Sequence, residues 1–161
     1  MRKWRRVNLS LNRYDDADPP WLDDDLANSI RRLSAVLDPT AAMVNMIIVD
    51  DSYIRGLNRE FRDIDEPTDV ISFSYLDDES PAPEVEDDVA GEVYISYQKI
   101  EEEAKVLGVE PRTMFLRVGV HGLLHVAGYD HVGNEDAARM EREEKSILSR
   151  CLDSAELDTL F

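Results

Sequence analysis

The three histidines of this chain lie close together, and their spacing would allow them to hold one metal ion. His121, His125 and His131 fall within the segment HGLLHVAGYDH. Residues four apart on a helix share a face, so the predicted helix would present His121 and His125 to the same ion. Gly128 can end that helix in a left-handed conformation and turn the chain back. His131 is then placed to supply a third ligand.

Three neutral imidazoles favour zinc and leave its fourth coordination position to water. Zinc lowers the pKa of bound water to about 7 and polarises a phosphoryl or carbonyl oxygen. Asp130 or a backbone carbonyl would orient one of the imidazole rings. A closed structural site would need a fourth ligand, and Cys151, the single cysteine, lies beyond another predicted helix. The sequence therefore predicts one catalytic zinc ion as the cofactor.

The same spacing, H-x-x-x-H-x-x-G-x-x-H, occurs in the metzincin metalloproteases, which carry a glutamate directly after the first histidine. This chain has Gly122 at that position. Glycine has no side chain that could take a proton from water, so peptide hydrolysis by the usual zincin route is disfavoured. Either metal-bound hydroxide acts alone, or an acid or base comes from elsewhere in the fold.

A second candidate site residue, Arg62, lies where a predicted helix ends before a proline turn and a strand. The segment is LNREFRDIDEPTDVISF, residues 57–73. A guanidinium can bind a phosphate through two parallel hydrogen bonds and stabilise the charge of a phosphoryl transition state. The alternative is that Arg62 complements the helix dipole or pairs with Asp63, Asp65 or Asp69.

The pattern of apolar residues predicts one α+β domain over residues 1–161 that positions these side chains. Period-two alternation and β-branched runs predict about four strands, and helical stripes predict about five helices packed against the sheet. We expect the core to span residues 5–150 and residues 151–161 to form an acidic tail, weakly helical at best. The predicted strands are 7–12, 43–49, 70–75 and 89–95, and the predicted helices begin after Asp18, at Asp51–Ser52, after Ser96, at Pro111 and after Gly133.

The composition limits the classes of partner and the compartment. The chain has 161 residues with 18 basic against 35 acidic side chains, a formal net charge of −17. That charge argues against a basic nucleic-acid coat protein and against electrostatic adhesion to a membrane, although a local basic groove is still compatible with it. Residues 76–88 are predicted to form a solvated acidic loop. A single cysteine and the lack of a long apolar run predict a cytoplasmic protein.

Three stretches of the chain resemble the YbeY family, the bacterial rRNA maturation factor endoribonucleases. They are residues 57–73, GEVYIS at residues 91–96, and HGLLHVAGYDH followed by Met140. They occur in the same order as in the family, and the resemblance spans about residues 5–150. The histidine motif and the PTDV segment carry most of it, because GEVYIS is a weak match alone.

The resemblance implies a single-domain α+β fold and zinc-dependent cleavage of single-stranded RNA. It implies roles in maturing the 3′ end of small-subunit ribosomal RNA and in ribosome quality control. The partners would be ribosomal RNA and components of the small ribosomal subunit, and neither DNA nor a membrane. By position, the resemblance implies that Arg62 is the cleft arginine of the family and that the zinc ligands are His121, His125 and His131. The strand beside the cleft would be shaped by Thr68, Asp69 and Ser72.

The nucleophile and two alternative functions stay open. The nucleophile is either metal-bound water or a ribose 2′-hydroxyl. One alternative is a metallohydrolase of peptides or small molecules, but Gly122 argues against it because glycine cannot act as the general base. The other is an interaction protein of the small ribosomal subunit with a structural zinc, whose metal-free form would be unfolded. The acidic charge suits RNA only if a ribosomal partner or cleft arginines compensate, the candidates being Arg59, Arg62, Arg112 and Arg117.

Overall fold

A computed structural model of the chain describes residues 8–35, 43–75, 81–83, 89–129 and 133–161. The described residues form a four-stranded sheet and six helices. In chain order the elements are β1 (Asn8–Arg13), α1 (Asp24–Ser34), β2 (Met43–Val49), α2 (Asp51–Arg62), β3 (Val70–Ser74), β4 (Val89–Ser96), α3 (Tyr97–Leu107), α4 (Pro111–Val126), α5 (Asn134–Leu148) and α6 (Ser154–Leu160). The predicted α+β class and the four strands are confirmed.

The sheet has the strand order β1-β2-β4-β3. Strands β1, β2 and β4 run parallel, and β3 pairs with β4 in the antiparallel direction at one edge. The nearly continuous apolar run of β2 is typical of a strand covered on both faces, and β2 lies inside the sheet as that run predicts. The edge position of β3 brings the segment after α2 next to the helices that follow β4.

Helices cover both faces of the sheet, and α4 forms the centre of the larger layer. Helix α4 contacts β3, β4, α1, α3, α5 and α6, which explains why its apolar residues surround the helix instead of forming one stripe. Phe115, Leu123 and Leu124 of α4 are buried in that core. A second cluster lies on the other face, where Ile54 of α2 packs with Phe73 of β3.

Two predicted helix starts are wrong by a few residues, and the reason is the same in both. Helix α1 begins at Asp24 with Asp23 as its N-cap, because the Asp23 carboxylate accepts from the Leu26 amide at 2.9 Å. Helix α2 is capped by Asp50, which accepts from the Tyr53 amide at 2.8 Å. More than one favourable N-cap precedes each helix, namely Asp18 before two prolines as well as Asp23 for α1, and Asp50 as well as Asp51 for α2, so the sequence alone does not single out one.

The expectation of a weakly helical tail is also wrong. Helix α6 begins with a capping box, in which Asp153 and Glu156 each satisfy the backbone amide of the other. Leu160 is 3% exposed and belongs to the main core. Arg117 of α4 donates to the Leu160 carbonyl, so tertiary contacts hold the helix that local propensity alone did not indicate.

Two predicted elements extend outside the described residues. They are the first strand, which was predicted to start at Val7, and the acidic loop at residues 76–88, most of which is not described. Within the described part of the chain, no helix combines the length and apolarity needed to span a membrane.

Gly91 of β4 allows the last turn of α4 to approach the sheet closely. A Cβ atom on Gly91 would lie 2.3 Å from Val126 Cγ1 and 2.9 Å from the Phe73 carbonyl oxygen. The first contact is to a stiff β-branched side chain and the second is to backbone, so neither can yield easily. The distance between the sheet and the end of α4 therefore depends on this glycine.

We expect Gly91→Ala to lower the free energy of unfolding by about 1–3 kcal/mol, the usual cost of overpacking a core. The matched control is Gly56→Ala inside α2, where an added Cβ meets nothing within 4 Å. That control should raise the free energy of unfolding by about 0.5–1 kcal/mol, because glycine destabilises a helix interior. Urea denaturation of both variants checks this, and equal stability of the two would contradict it.

Candidate metal centre

The last turns of α4 bring two of the three histidines together, as the spacing predicts. His121 Nε2 and His125 Nε2 lie 3.1 Å apart, and the ring centroids are 4.7 Å apart. Two bonds of about 2.0–2.1 Å from one zinc ion can span that separation. Both side chains are partly exposed, so an ion between them would be accessible to a substrate.

Glu144 of α5 contacts the other ring nitrogen of His121, Nδ1, through its Oε1 atom. This carboxylate is only 4% exposed, and a buried carboxylate needs such a donor to offset its desolvation. With the proton on Nδ1, the lone pair of Nε2 points towards His125. A carboxylate behind a ligating histidine is a common arrangement in metalloproteins, where it fixes the ring and raises its basicity.

Sequence reasoning did not find Glu144 and assigned the orienting role to Asp130 or a backbone carbonyl. Asp130 lies outside the described residues. The available signal was the position of Glu144 between Met140 and Ile147, at the four- and three-residue steps of the buried stripe of α5. A carboxylate at such an inward position requires a buried donor, although the sequence does not name it.

The third predicted ligand, His131, also lies outside the described residues. Within residues that the structure describes, no group of three side chains suited to a metal ion is found. The role of His131 therefore stays a prediction. Cys151, the fourth ligand considered for a closed site, is exposed after the end of α5.

The packing around Gly122 leaves no space for the glutamate that the metzincin motif has at this position. A Cβ atom on Gly122 would lie 2.6 Å from Val93 Cγ1 and 3.1 Å from Ser72 Oγ. The Ser72 hydroxyl donates to the Gly122 carbonyl at 3.0 Å, which holds β3 against α4 directly beside His121. A longer side chain at this position would push the helix off the sheet.

Arg62 reaches the same strand from the opposite face of the sheet. It is the last residue of α2, and its Nη2 atom donates to the Ser72 carbonyl at 3.1 Å. Among the ion pairs of the described residues, Asp65 pairs with Arg55 at 2.9 Å and with Arg59 at 3.7 Å rather than with Arg62. Arg55 lowers the pKa of the Asp65 carboxyl. Arg62 is thus exposed and anchored to the strand that supports the histidine helix.

A cleft of about 610 Å³ opens beside His121, between α3, α4 and residues 67–70. Glu103 of α3 forms a hydrogen bond with Asp69 in this cleft, and burial together with the Asp69 carboxylate raises the pKa of Glu103 to about 7. Of the four arginines considered as cleft cations, Arg117 lines this cleft. Arg112 instead pairs with Asp23 at 2.6 Å.

Thr68 and Asp69 directly precede β3, and Ser72 lies within it. The Asp69 carboxylate accepts from the Val70 amide at 2.8 Å, and Thr68 donates to Asp69 at 3.4 Å. In the GEVYIS stretch, Glu92 is buried and accepts from the Tyr75 hydroxyl at 2.8 Å, and burial and this contact raise the pKa of Tyr75. These contacts fix the start and the end of β3.

A family model described as Endoribonuclease YbeY matches residues 22–152 of the chain. The chain belongs to this family. Three relatives, each named Endoribonuclease YbeY, agree with the match. The Pelotomaculum thermopropionicum protein is 42% identical over 109 residues, which is 68% of this chain and 72% of the relative. The Carboxydothermus hydrogenoformans protein is 38% identical over 134 residues, covering 80% and 87%. The Francisella tularensis subsp. holarctica protein is 32% identical over 152 residues, covering 92% and 89%.

The fold also has a counterpart among solved structures. The solution structure of TM1509 from Thermotoga maritima superimposes with a TM-score of 0.51 at 26% identity, covering 88% of this chain and 90% of that one. Membership in the YbeY family confirms the resemblance inferred from the motifs, and the name of the family confirms the predicted enzyme class, an endoribonuclease.

We expect Glu144→Gln to weaken zinc binding by about 10–100-fold, the usual effect of losing the carboxylate behind a metal-bound histidine. Competition with a chelator of known affinity measures this without any activity assay. The control is Glu141→Gln on the exposed face of the same helix, where the side chain faces Lys145 at 3.8 Å. Zinc affinity within twofold of the parent protein in a folded Glu144→Gln variant would show that Glu144 does not support the ligand.

Proposed function

We propose that this protein is a zinc-dependent endoribonuclease that cleaves single-stranded ribosomal RNA in the cytoplasm. Its roles would be 3′-end maturation of small-subunit ribosomal RNA and ribosome quality control, with small-subunit components as partners. Family membership supports the enzyme class. The observation that carries the metal dependence is the pair of histidine nitrogens 3.1 Å apart on α4, one of them oriented by a buried carboxylate.

His121 and His125 would hold the ion, with His131 as the predicted third ligand. A bound zinc ion polarises a phosphoryl oxygen and lowers the pKa of its water. Two features of the chain favour this chemistry. Glu144 holds the proton of His121 on Nδ1, so that the unprotonated Nε2 would bind the ion. Gly122 lets the ligand helix lie directly on β3 and β4.

Arg62 would bind the phosphate and stabilise its developing charge. A guanidinium has five N–H donors, and the described contact with the Ser72 carbonyl uses one of them. That contact holds the side chain at the edge of β3, the strand whose Ser72 hydroxyl bonds to the carbonyl next to His121. A preoriented cation near the scissile phosphate stabilises the transition state at little reorganisation cost.

The two alternative functions receive less support. Hydrolysis of peptides by a zincin mechanism needs a base where the packing around Gly122 leaves no room for one. A purely structural zinc predicts that α4 depends on the ion for folding. The helix instead packs against β3, β4, α1, α3, α5 and α6 through apolar side chains such as Phe115 and Leu124, which need no metal.

We expect zinc-loaded protein to cleave an end-labelled single-stranded fragment of ribosomal RNA at low salt. A His125→Ala variant purified in parallel should be inactive, because one ion ligand is missing, and it should stay folded by circular dichroism. Contaminating ribonuclease would cleave equally in both samples. Equal cleavage, or none in either, would contradict the proposal. The product ends name the nucleophile, since a 2′,3′-cyclic phosphate requires attack by the ribose hydroxyl.

We expect Arg62→Ala to lower the rate of that cleavage by about 10²–10³-fold, the usual loss when a preoriented donor to transition-state charge is removed. The midpoint of thermal unfolding should change little, because Arg62 is exposed. Arg59→Ala is the matched control, since it removes an exposed arginine of the same helix that pairs with Asp65 at 3.7 Å. If both variants lose activity to the same degree, Arg62 acts only through general charge.

A further inference from the structure

The cleft beside His121 has the size and position of a substrate subsite. Its volume of about 610 Å³ lies within the range of roughly 300–1,000 Å³ that is typical of small-ligand pockets. The candidate metal ligand His121 forms part of its wall. A group bound in this cleft would therefore lie next to the bond that the metal centre cleaves.

The rim of the cleft is unusually apolar for an exposed surface. Val106 and Leu107, at the end of α3, line the cleft and are 82% and 41% exposed. Met114 of α4 lines it as well. Flat aromatic bases of unpaired RNA bind to surfaces that offer contact to the ring face, and apolar side chains can serve that purpose. This wall suits a base better than a phosphate.

The charged groups of the cleft also disfavour a phosphate. Its lining contains the carboxyl groups of Asp69, Glu102 and Glu103 against the cations Lys99 and Arg117. Both cations already have partners, since Lys99 contacts Glu102 at 3.0 Å and Arg117 donates to the Leu160 carbonyl. A polyanion would gain little attraction here.

The Asp69–Glu103 pair provides hydrogen-bond acceptors in a fixed position. The Asp69 carboxylate is held by the Val70 amide at 2.8 Å, and the Asp69 carbonyl accepts from the Ser96 amide at 2.9 Å. Burial and the Asp69 carboxylate raise the pKa of Glu103 to about 7. Carboxyl groups recognise the amino group of a base, as aspartate and glutamate do with the N4 amine of cytosine.

We propose that this cleft is a base subsite, which accepts one unpaired RNA base with an exocyclic amino group next to the scissile bond. The proposal rests on the proposed RNA cleavage. Adenine, cytosine and guanine carry such an amino group. Uracil carries the carbonyl oxygen O4 where cytosine carries its amino group, so at that position it would offer no donor to the Asp69–Glu103 pair and would keep only its N3–H group for bonding. Cytosine and uracil have nearly the same size, so a comparison of their affinities isolates the contribution of the amino group.

The test is the binding of two fluorescent octamers, 2′-O-methyl C8 and 2′-O-methyl U8, to zinc-loaded protein at low salt by fluorescence anisotropy. The methyl group blocks ribose attack, and a gel confirms that the probes stay intact. We expect C8 to bind at least about tenfold more tightly than U8. Glu103→Leu should bring the two affinities within about twofold, because the acceptor is lost.

Glu110→Leu is the matched control, since Glu110 is exposed at the start of α4 and makes no side-chain cap. It should keep the preference for C8. If thermal unfolding shows that Glu103→Leu is not folded, the nearly isosteric Glu103→Gln replaces it and should raise U8 affinity relative to C8, since an amide can donate to a carbonyl oxygen.

Equal affinity for C8 and U8, no measurable binding of either, or a preference that survives in the Glu103 variant would each overturn the subsite. The outcome is separate from the proposed cleavage. Cleavage of RNA without a base preference would leave the nuclease in place and remove the subsite. A Glu103-dependent preference in a protein that cleaves nothing would support the subsite and remove the nuclease.

Discussion

The close packing of α4 on the edge of the sheet determines the geometry of the candidate site. Two glycines set that distance. Gly122 on the helix faces Val93 and Ser72, and Gly91 on the strand faces Val126. A side chain at either place would separate the two layers, and the Ser72 bond to the Gly122 carbonyl would be lost with them. Because His121 and His125 belong to this stretch of α4, any such shift would move both imidazoles relative to β3 and Arg62.

The same packing explains why Glu144 can be buried. Helix α5 packs on α4, and its buried residues Met140, Ile147 and Leu148 belong to the main apolar core, whereas the buried Glu144 contacts His121. A charged carboxylate in that place is destabilising unless a donor compensates for its desolvation. The His121 Nδ1 atom provides that donor. The contact between Glu144 and His121 orients a candidate metal ligand, but ionisable groups in an apolar core are destabilising. Such a contact is more typical of a functional site than of core packing.

Features that depend on nearby residues could be predicted from the sequence, and features that depend on distant pairs could not. The four strands and the histidine pair of α4 follow from local spacing, and each was predicted. The N-cap positions of α1 and α2 were missed because more than one aspartate near each start has nearly equal capping ability. Glu144 lies 23 residues from His121 in sequence, and Arg62 lies 10 residues from Ser72, so no local pattern specifies these contacts. Helix α6 was missed because its stability depends on Leu160 entering a core built by other elements.

The distribution of charge reconciles a net charge of −17 with an RNA substrate. At physiological ionic strength, charges further apart than about 8 Å are largely screened from one another, so the RNA near the site responds mainly to the groups beside it. Beside His121 these groups are those of the cleft, and the exposed Arg62 lies at the edge of β3, the strand whose Ser72 hydroxyl donates to the carbonyl of Gly122. If Arg62 binds the phosphate and the cleft binds the base, as proposed, the two parts of one nucleotide meet different chemistry, a cation at the strand edge and acceptors in the cleft. An evenly basic surface would bind any phosphate chain, whereas the proposed arrangement would bind RNA weakly overall and would discriminate mainly through the base.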